Sequence, residues 1–500
     1  MGNLKELAHK VEALERKHPG YNGEIARFVE SNPLRRQHDE IRFHLERYGQ
    51  GNGAAVLYIL HSSPFHPQAG GTEYHVLDLL KSMRPPRAVL AYPDRGSLEF
   101  AEILRGEVNQ AVFYRFDLRE RPKRFAVHHR EMETALRWAL SRFDIGAAHI
   151  HHLMFWPLAL GRILQDADVP YVFTAHDYYS ACISWNLFDF SRRQACLGAA
   201  ACAGDASCLV ALCRELCEFE IDDPVSLARG VRKASSATLA AAQAIIFPST
   251  TARDTALAAF TFKPRDTVVI EHGYDATFSF QEPRHLPGPL RVAIMGEVAH
   301  PIKGADNYLD LIGEVQDLPV EWHFFGRTDR YGLEPRLRQR APAATLHFHG
   351  RYKRDGIVPL LRAKGIDLYV SLPLWHETFS YTLSEALLAG VPALVNGQGG
   401  AIAERVRRLD VGHVVEDIPA AAAFLRHLCA DRSWLDARRE VIGRFQHRTV
   451  ETSARETLAL YQERGIWPPS GTFRRLDSAS LRTVAAHRVS TKNSSAGRRV

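Results

Sequence analysis

Residues 375–394, WHETFSYTLSEALLAGVPAL, hold two carboxylates eight positions apart. Glu377 follows an apolar run, GIDLYVSLPL, that reads as a strand. Glu385 lies in a helix-like segment closed by Gly390 and Pro392. Two acids across a strand-to-helix corner suit acid–base hydrolysis, which uses paired carboxylates across one bond. They also suit a metal site, or recognition of sugar hydroxyls by carboxylate acceptors. The bland reading is two solvated surface glutamates.

Three other groups carry chemistry. Gly70 and Gly71, in HSSPFHPQAGGTEYH, open a helix at about Thr72, where backbone N–H groups can approach a phosphate; an ordinary tight turn reads equally well. HIHH, residues 149–152, places His149 and His151 on one face of a strand without an obvious third ligand, so no metal is expected there. Six of the seven cysteines, Cys182, Cys196, Cys202, Cys208, Cys213 and Cys217, fall within 182–217. Such clustering points to metal before disulfides in an intracellular chain. No CxxC pair is present, however, and the spacing fits no standard zinc module. The segment reads as an insertion loop of free thiols, with a structural zinc or iron–sulfur site as the alternative.

The elements that must position these residues follow from the hydrophobic pattern. Five hundred residues call for two core domains. Residues 1–50 read as an amphipathic helical extension, with LKELAHKVEALERK spacing its apolar residues at three and four. From residue 54, short apolar strands (RAVLAY, AVFYRF, DIGAAHIHH, YVFTAHD, AAQAIIFPS, TVVIEHG) alternate with helical patterns up to residue 285. A Pro-rich break, 279–290, precedes a second series over 290–430: RVAIMGEV, EWHFFG, TLHFHG, IDLYVSL, PALVNG and VGHVVE. This alternation predicts two α/β, doubly wound Rossmann-like domains. Helices over 431–466 are expected to pack back across the pair.

No apolar run reaches the roughly 18–20 residues that span a bilayer. The N-terminus has no apolar core of a signal peptide, and Glu6 stands where a myristoylation motif needs Ser or Thr. A cytoplasmic protein is expected. The formal net charge of +6 resides in residues 467–500, which hold seven Lys/Arg and one acid. This basic tail is expected to be disordered and able to contact anionic lipid at the inner face of a membrane. With the body near neutral, nucleic-acid binding is not expected.

GEVAHPIKG, ETFSYTLSEALLAGVPAL and GQGGAIAERV occur in that order in the second half. Together they resemble the retaining, nucleotide-sugar-dependent glycosyltransferases of family 4, which have the GT-B fold: two Rossmann-like domains facing a cleft. The resemblance covers roughly residues 54–465, and the subtype resembles bacterial O-antigen and surface-polysaccharide transferases. It implies that Glu385 accepts hydrogen bonds from the ribose hydroxyls of the donor and that Glu377 contacts the donor sugar. The amides of Phe379, Ser380, Tyr381 and Thr382 would meet sugar and diphosphate at a helix start, with Gly70, Gly71 and Gly296 on the donor. Lys303, in IKG, would neutralise the leaving diphosphate. His176, in FTAHDYYS, would sit over the anomeric region, and the HIHH strand end would line the acceptor cleft. No cofactor or divalent metal is required by the resemblance.

One position departs from the family pattern. Many members place Arg six residues before this Lys; Glu297 stands there. The acid must turn away, or another cation must substitute, and Arg327 and Arg351, both after second-half strands, are candidates. The function expected is hexosyl transfer from a nucleotide sugar to a growing, lipid-linked surface glycan. The alternatives are another GT-B enzyme, such as a nucleotide-sugar epimerase, and a non-catalytic scaffold of the same fold.

Overall fold

The computed structural model of the chain describes residues 13–31, 54–67, 69–196, 208, 210–212, 223–274, 288–466 and 489–492. The first domain is built on β1 (Ala55–Ile59), β2 (Arg87–Asp94), β3 (Ser97–Leu104), β4 (Val112–Asp117), β5 (Ile145–Ile150) and β6 (Tyr171–Thr174). A short ribbon of β7 (Phe188–Asp189) and β8 (Gln194–Ala195) follows, and then β9 (Ile245–Phe247) and β10 (Thr267–Val269) complete the sheet. Its order is β10-β9-β6-β5-β1-β2-β3-β4. β1, β5, β6, β9 and β10 run parallel, and β2 is parallel to β1.

β3 was not foreseen, because SLEFAEIL carries two glutamates and its alternation of polar and apolar residues breaks after Phe100. It forms an antiparallel hairpin with β2 and pairs with β4 on its other side. The hairpin turns at Arg95, which takes the left-handed region at φ 55°. Glu102 is wholly buried and is matched by Arg87, whose Nη2 donates to it at 3.1 Å. A buried acid is tolerated here because it is paired.

The second domain is parallel throughout. Its strands are β11 (Leu290–Gly296), β12 (Val320–Gly326), β13 (Thr345–Phe348), β14 (Leu368–Ser371), β15 (Ala393–Asn396) and β16 (Gly412–Val415), in the order β13-β12-β11-β14-β15-β16. Strand order reverses between β11 and β14. In such sheets the crevice beyond the carboxyl ends at the reversal is where ligands bind. Apolar clusters lie on both faces of this sheet, one around Trp322 and Phe324, the other around Tyr369 and Phe325.

The chain crosses between domains twice, and the crossings touch. Gly273 leaves the first domain and the segment around Thr449 returns to it; the Tyr274 N–H donates to the Arg448 carbonyl at 3.0 Å. A Cβ at Gly273 would lie 2.2 Å from the Thr449 carbonyl oxygen, so glycine is required for the approach itself. The Ser433–Arg444 helix packs on the second domain through Leu435 and Ile442. The Val450–Glu463 helix packs on the first, where Leu460 and Tyr461 join Ala147, Val172 and Ile246.

In the N-terminal extension the structure describes a helix over Tyr21–Ser31. Within the basic tail, expected to be without structure, β17 (Val489–Lys492) departs from that reading and pairs antiparallel with β4. An added strand satisfies the open backbone groups of a sheet edge; the rest of the tail lies outside the described residues. Among the described residues no helix is long and apolar enough to cross a membrane.

Candidate active site

A cleft with some 930 Å³ of space outside protein atoms, part of it open to solvent, lies where the carboxyl ends of both sheets face each other. The first domain lines it with Gly71, Thr72 and His176, joined by His272 from the crossing segment. The second contributes Gly296, Glu297, Lys303, Trp375, Glu377 and the run Thr378–Thr382. The order of elements explains the convergence. Gly71 opens the helix after β1, His176 follows β6, Gly296 ends β11, and Glu377 follows β14.

Lys303 and Glu377 are the central pair. Lys303 Nζ donates to Glu377 Oε1 at 2.8 Å and stands 4.7 Å from the centre of the Trp375 ring. Both backbones are fixed. A 3₁₀ turn over Pro301–Lys303 ends at Gly304, at φ +92°, where a Cβ would lie 2.1 Å from the Leu372 carbonyl oxygen. Glu377 is held by the GQGGAIAERV segment. Its N–H donates to the Gly399 carbonyl at 3.2 Å, and its own carbonyl accepts from the Ala401 N–H at 2.8 Å. Gly400, at φ +63°, leaves no room for a Cβ beside the Glu377 backbone. Two motifs separated in sequence are therefore one structural unit.

The helix start expected at residues 379–382 is present. Ser380 caps the Tyr381–Leu388 helix, its Oγ accepting from the Leu383 N–H at 3.2 Å. The preceding turn is braced from behind by Arg405 of the GAIAERV motif. Arg405 is buried; it donates to the Ser380 carbonyl at 2.8 Å and to Ser384 Oγ at 2.9 Å, and its guanidinium lies 4.3 Å from the centre of the Phe379 ring. Burial lowers its pKa to about 10, which still leaves it charged at neutral pH. The domains meet at this turn, where Thr378 Oγ1 donates to the His176 carbonyl at 2.6 Å. Two buried donors at the cleft, Trp375 Nε1–H and the Tyr381 hydroxyl, have no protein partner.

Glu385 lies elsewhere. It is buried behind the helix start and is not among the cleft-lining residues. The Tyr352 hydroxyl donates to its Oε2 at 2.9 Å and the Tyr274 hydroxyl to its Oε1 at 3.4 Å. Burial pushes its carboxyl up to about 7, against the opposing effect of the Tyr352 hydrogen bond and the Arg354 charge. The two glutamates quoted above thus share no partner, because the helix turns the second away from the first.

Gly71 lines the cleft, and a Cβ on it would meet the Tyr381 ring at 3.1 Å. Gly70 does not line it; its N–H donates to Glu73 Oε2 at 3.0 Å in a capping arrangement. Gly296 lines the cleft at φ +98°. Glu297 is half exposed at the rim, and Arg327 Nη1 approaches its Oε1 at 3.8 Å. Arg327 thereby compensates the acid, and neither it nor Arg351 lines the cleft, where the Lys/Arg side chain among the described residues is Lys303.

His149 and His151 correct the expectation of a strand end lining the cleft: neither reaches it. His149 is wholly enclosed between the Tyr461 hydroxyl at 2.6 Å and Thr174 Oγ1 at 2.7 Å. His151 lies against His176, Nδ1 to Nε2 at 3.0 Å. His272, Trp375, Thr378 and Tyr308 were missed. Position just after a strand is the signal that would have found His272, in TVVIEHG. Of the cysteine cluster, Cys182 and Cys208 are buried and Cys196 half-buried, while Cys202, Cys213 and Cys217 lie outside the described residues.

Family comparison agrees with the two-domain site. Residues 69–278 match the family model Glycosyltransferase Family 4, and residues 289–431 match the model Glycosyl transferases group 1. No curated protein sequence matches the chain. Solved structures show the same fold at low identity. Sucrose-phosphate synthase from Thermosynechococcus elongatus superposes with a TM-score of 0.54 at 16% identity, over 82% of this chain and 98% of that one. Anabaena HepE in complex with UDP-glucose gives 0.54 at 15%, over 82% and 99%. The lipopolysaccharide outer core galactosyltransferase WaaB gives 0.50 at 9%, over 82% and 99%. With the two family models matched in tandem on two facing Rossmann-like domains, the chain has the GT-B glycosyltransferase fold, its first half matching Glycosyltransferase Family 4 and its second half Glycosyl transferases group 1.

Proposed function

We propose that this protein transfers a hexosyl group from a nucleotide-sugar donor to a hydroxyl of a growing, lipid-linked surface glycan, with retention at the anomeric carbon. The observation that carries the reading is the Lys303–Glu377 pair, set in the interdomain cleft beside two unpartnered donors and a capped helix start. Lys303 and the amides of Tyr381 and Thr382 neutralise the diphosphate, whose charge grows as it leaves. Glu377 holds a sugar hydroxyl as acceptor, and His176 orients the sugar from the facing domain. The bond from the anomeric carbon to the phosphate oxygen breaks as the bond from the acceptor oxygen forms on the same face. The acceptor proton passes to the departing phosphate oxygen, so neither a second carboxylate nor a divalent ion is used in this step.

HepE, of the same fold, has been solved with UDP and with UDP-glucose, and WaaB acts on the lipopolysaccharide outer core. These names support a nucleotide sugar as donor and a surface glycan as acceptor. Cytoplasmic location, with the basic tail touching anionic lipid, completes the reading.

A panel of uridine and guanosine diphosphate sugars screened by thermal shift identifies the donor, because a bound ligand raises the melting temperature by mass action. The product made with that donor, assigned by NMR, must carry the donor's own anomeric configuration. An inverted product overturns retention; a donor that is bound but epimerised rather than transferred favours the epimerase reading; a chain that stabilises with no nucleotide sugar overturns the enzyme reading.

A further inference from the structure

Where the first domain faces the cleft, histidines gather from separate elements. His75 lies on the helix Gly71–Met83, His151 just beyond β5, His176 just beyond β6 and His272 on the crossing segment. One ring nitrogen from each of His75, His151 and His176 lies within 4.8 Å of the other two. The His272 ring centre stands 3.9 Å from that of His75. A neutral imidazole has one donor and one acceptor nitrogen. The His151–His176 contact at 3.0 Å uses one of each. His151 Nε2 is then left fully buried with no partner, as is His272 Nδ1.

Nearby acids do not supply what is missing. Asp177 accepts from His152 at 2.9 Å, and Glu73 takes Ser62 at 2.8 Å and the Gly70 N–H at 3.0 Å.

We propose that His75, His151 and His176 form a three-imidazole site for a divalent transition-metal ion of the zinc class, with a fourth position open toward the cleft. Imidazole nitrogens suit zinc, cobalt, nickel and copper ions rather than magnesium or calcium. Three protein ligands with one open position is the arrangement of a zinc site that takes water or a substrate oxygen. Nitrogens on one tetrahedral ion sit about 3.3 Å apart for bonds of ~2.05 Å, so ligation requires the rings to draw in from their present spacing. The open position faces the cleft because His176 lines it. An oxygen of a bound phosphoryl group or sugar is the ligand that would occupy it. The ion would pin the helix after β1 to the ends of β5 and β6, and ligation through one nitrogen of His176 leaves its second for substrate. This inference concerns metal binding alone and stands or falls independently of the transfer reaction.

The full-length chain, purified without a metal-affinity tag and dialysed against chelator, is titrated with Co²⁺. One equivalent should bind with visible d–d bands of a four- or five-coordinate nitrogen site, without the near-ultraviolet band of thiolate ligation, and Zn²⁺ should displace it. X-ray absorption on the unmutated Zn²⁺ form should count three imidazoles and no sulfur, a reading that needs no variant to fold. His75→Gln and His176→Gln should each weaken Co²⁺ by more than about tenfold. His347→Gln, in the separate Glu321/His323/His347 group, should leave the bands unchanged. No binding, a thiolate band, sulfur in the X-ray shell, or loss in His347→Gln with retention in His75→Gln would each overturn the proposal.

Discussion

Lys303 Nζ and Glu377 Oε1 stand 2.8 Å apart, although 74 positions separate the residues. Glu377 is nearly buried while the lysine side chain is about one-third exposed. Each is the other's partner in the cleft, and a nucleotide-sugar donor bound as proposed would share the contact among carboxylate, ammonium, sugar and diphosphate. A double-mutant cycle with Lys303→Met and Glu377→Gln should give a coupling of about 1 kcal/mol or more in stability. Turnover should fall in both single variants by far more than nucleoside diphosphate affinity does in Glu377→Gln. Additive stabilities together with parental turnover would show the pair to be a surface ion pair only.

Glu385 gives a pH prediction whose sign is fixed. Its carboxyl titrates near 7 in the folded chain, above the ordinary value of 4.5. The folded state therefore binds more protons than the unfolded state between those values. The stability this group contributes is present below about 4.5 and is lost as pH rises to about 7. Relative to Glu385→Gln, the parent should lose melting temperature from pH 5 to 7.5. Parallel melting-temperature profiles of parent and variant over this range would show that the carboxyl does not titrate there.

Arg405 holds the turn that presents residues 378–382 without touching the cleft itself. Arg405→Ala leaves the buried Ser380 carbonyl without this donor, a loss of about 1–3 kcal/mol, measurable by urea unfolding. Arg405→Lys should not restore the parent, since an ammonium cannot reproduce the planar fork across the carbonyl, Ser384 and the Phe379 face. If Arg405→Lys matches the parent in both stability and KM for donor, the fork geometry is irrelevant.

Gly273→Ala tests the crossing of the two chains. The added methyl would overlap the Thr449 carbonyl, and the approach is between backbones, so no side chain can yield. The two crossing segments must separate, and the variant should lose more than about 1 kcal/mol and raise interdomain protease sensitivity. Unchanged melting would mean that the crossing is loose.

Removing residues 470–500 should preserve donor hydrolysis and transfer to a soluble acceptor. It also uncovers the β4 edge, so aggregation at high concentration should increase. Sedimentation with anionic liposomes should drop on truncation and in high salt; equal sedimentation of both forms would reject lipid contact by the tail.

Periodicity alone was enough to announce two series of strand and helix, and motif order was enough to place Lys303, Glu377 and the helix start at 380–382 beyond second-domain strands. Those features are local: a buried parallel strand, a Gly after Lys303 and a Ser cap each write themselves into a few adjacent residues. The β3 strand escaped because its partner for Glu102 is Arg87, and no window of sequence shows a buried ion pair. The meaning of eight-residue spacing between Glu377 and Glu385 was equally open, since spacing does not tell which acid faces a cleft and which faces Tyr352 and Tyr274. Sequence fixed the residue types and their order along each strand. Only the tertiary fold decided which of them converge, because the contacts that matter (Lys303 with Glu377, Thr378 with His176, His75 with His151) join elements whose adjacency is set by sheet order and domain packing rather than by distance along the chain.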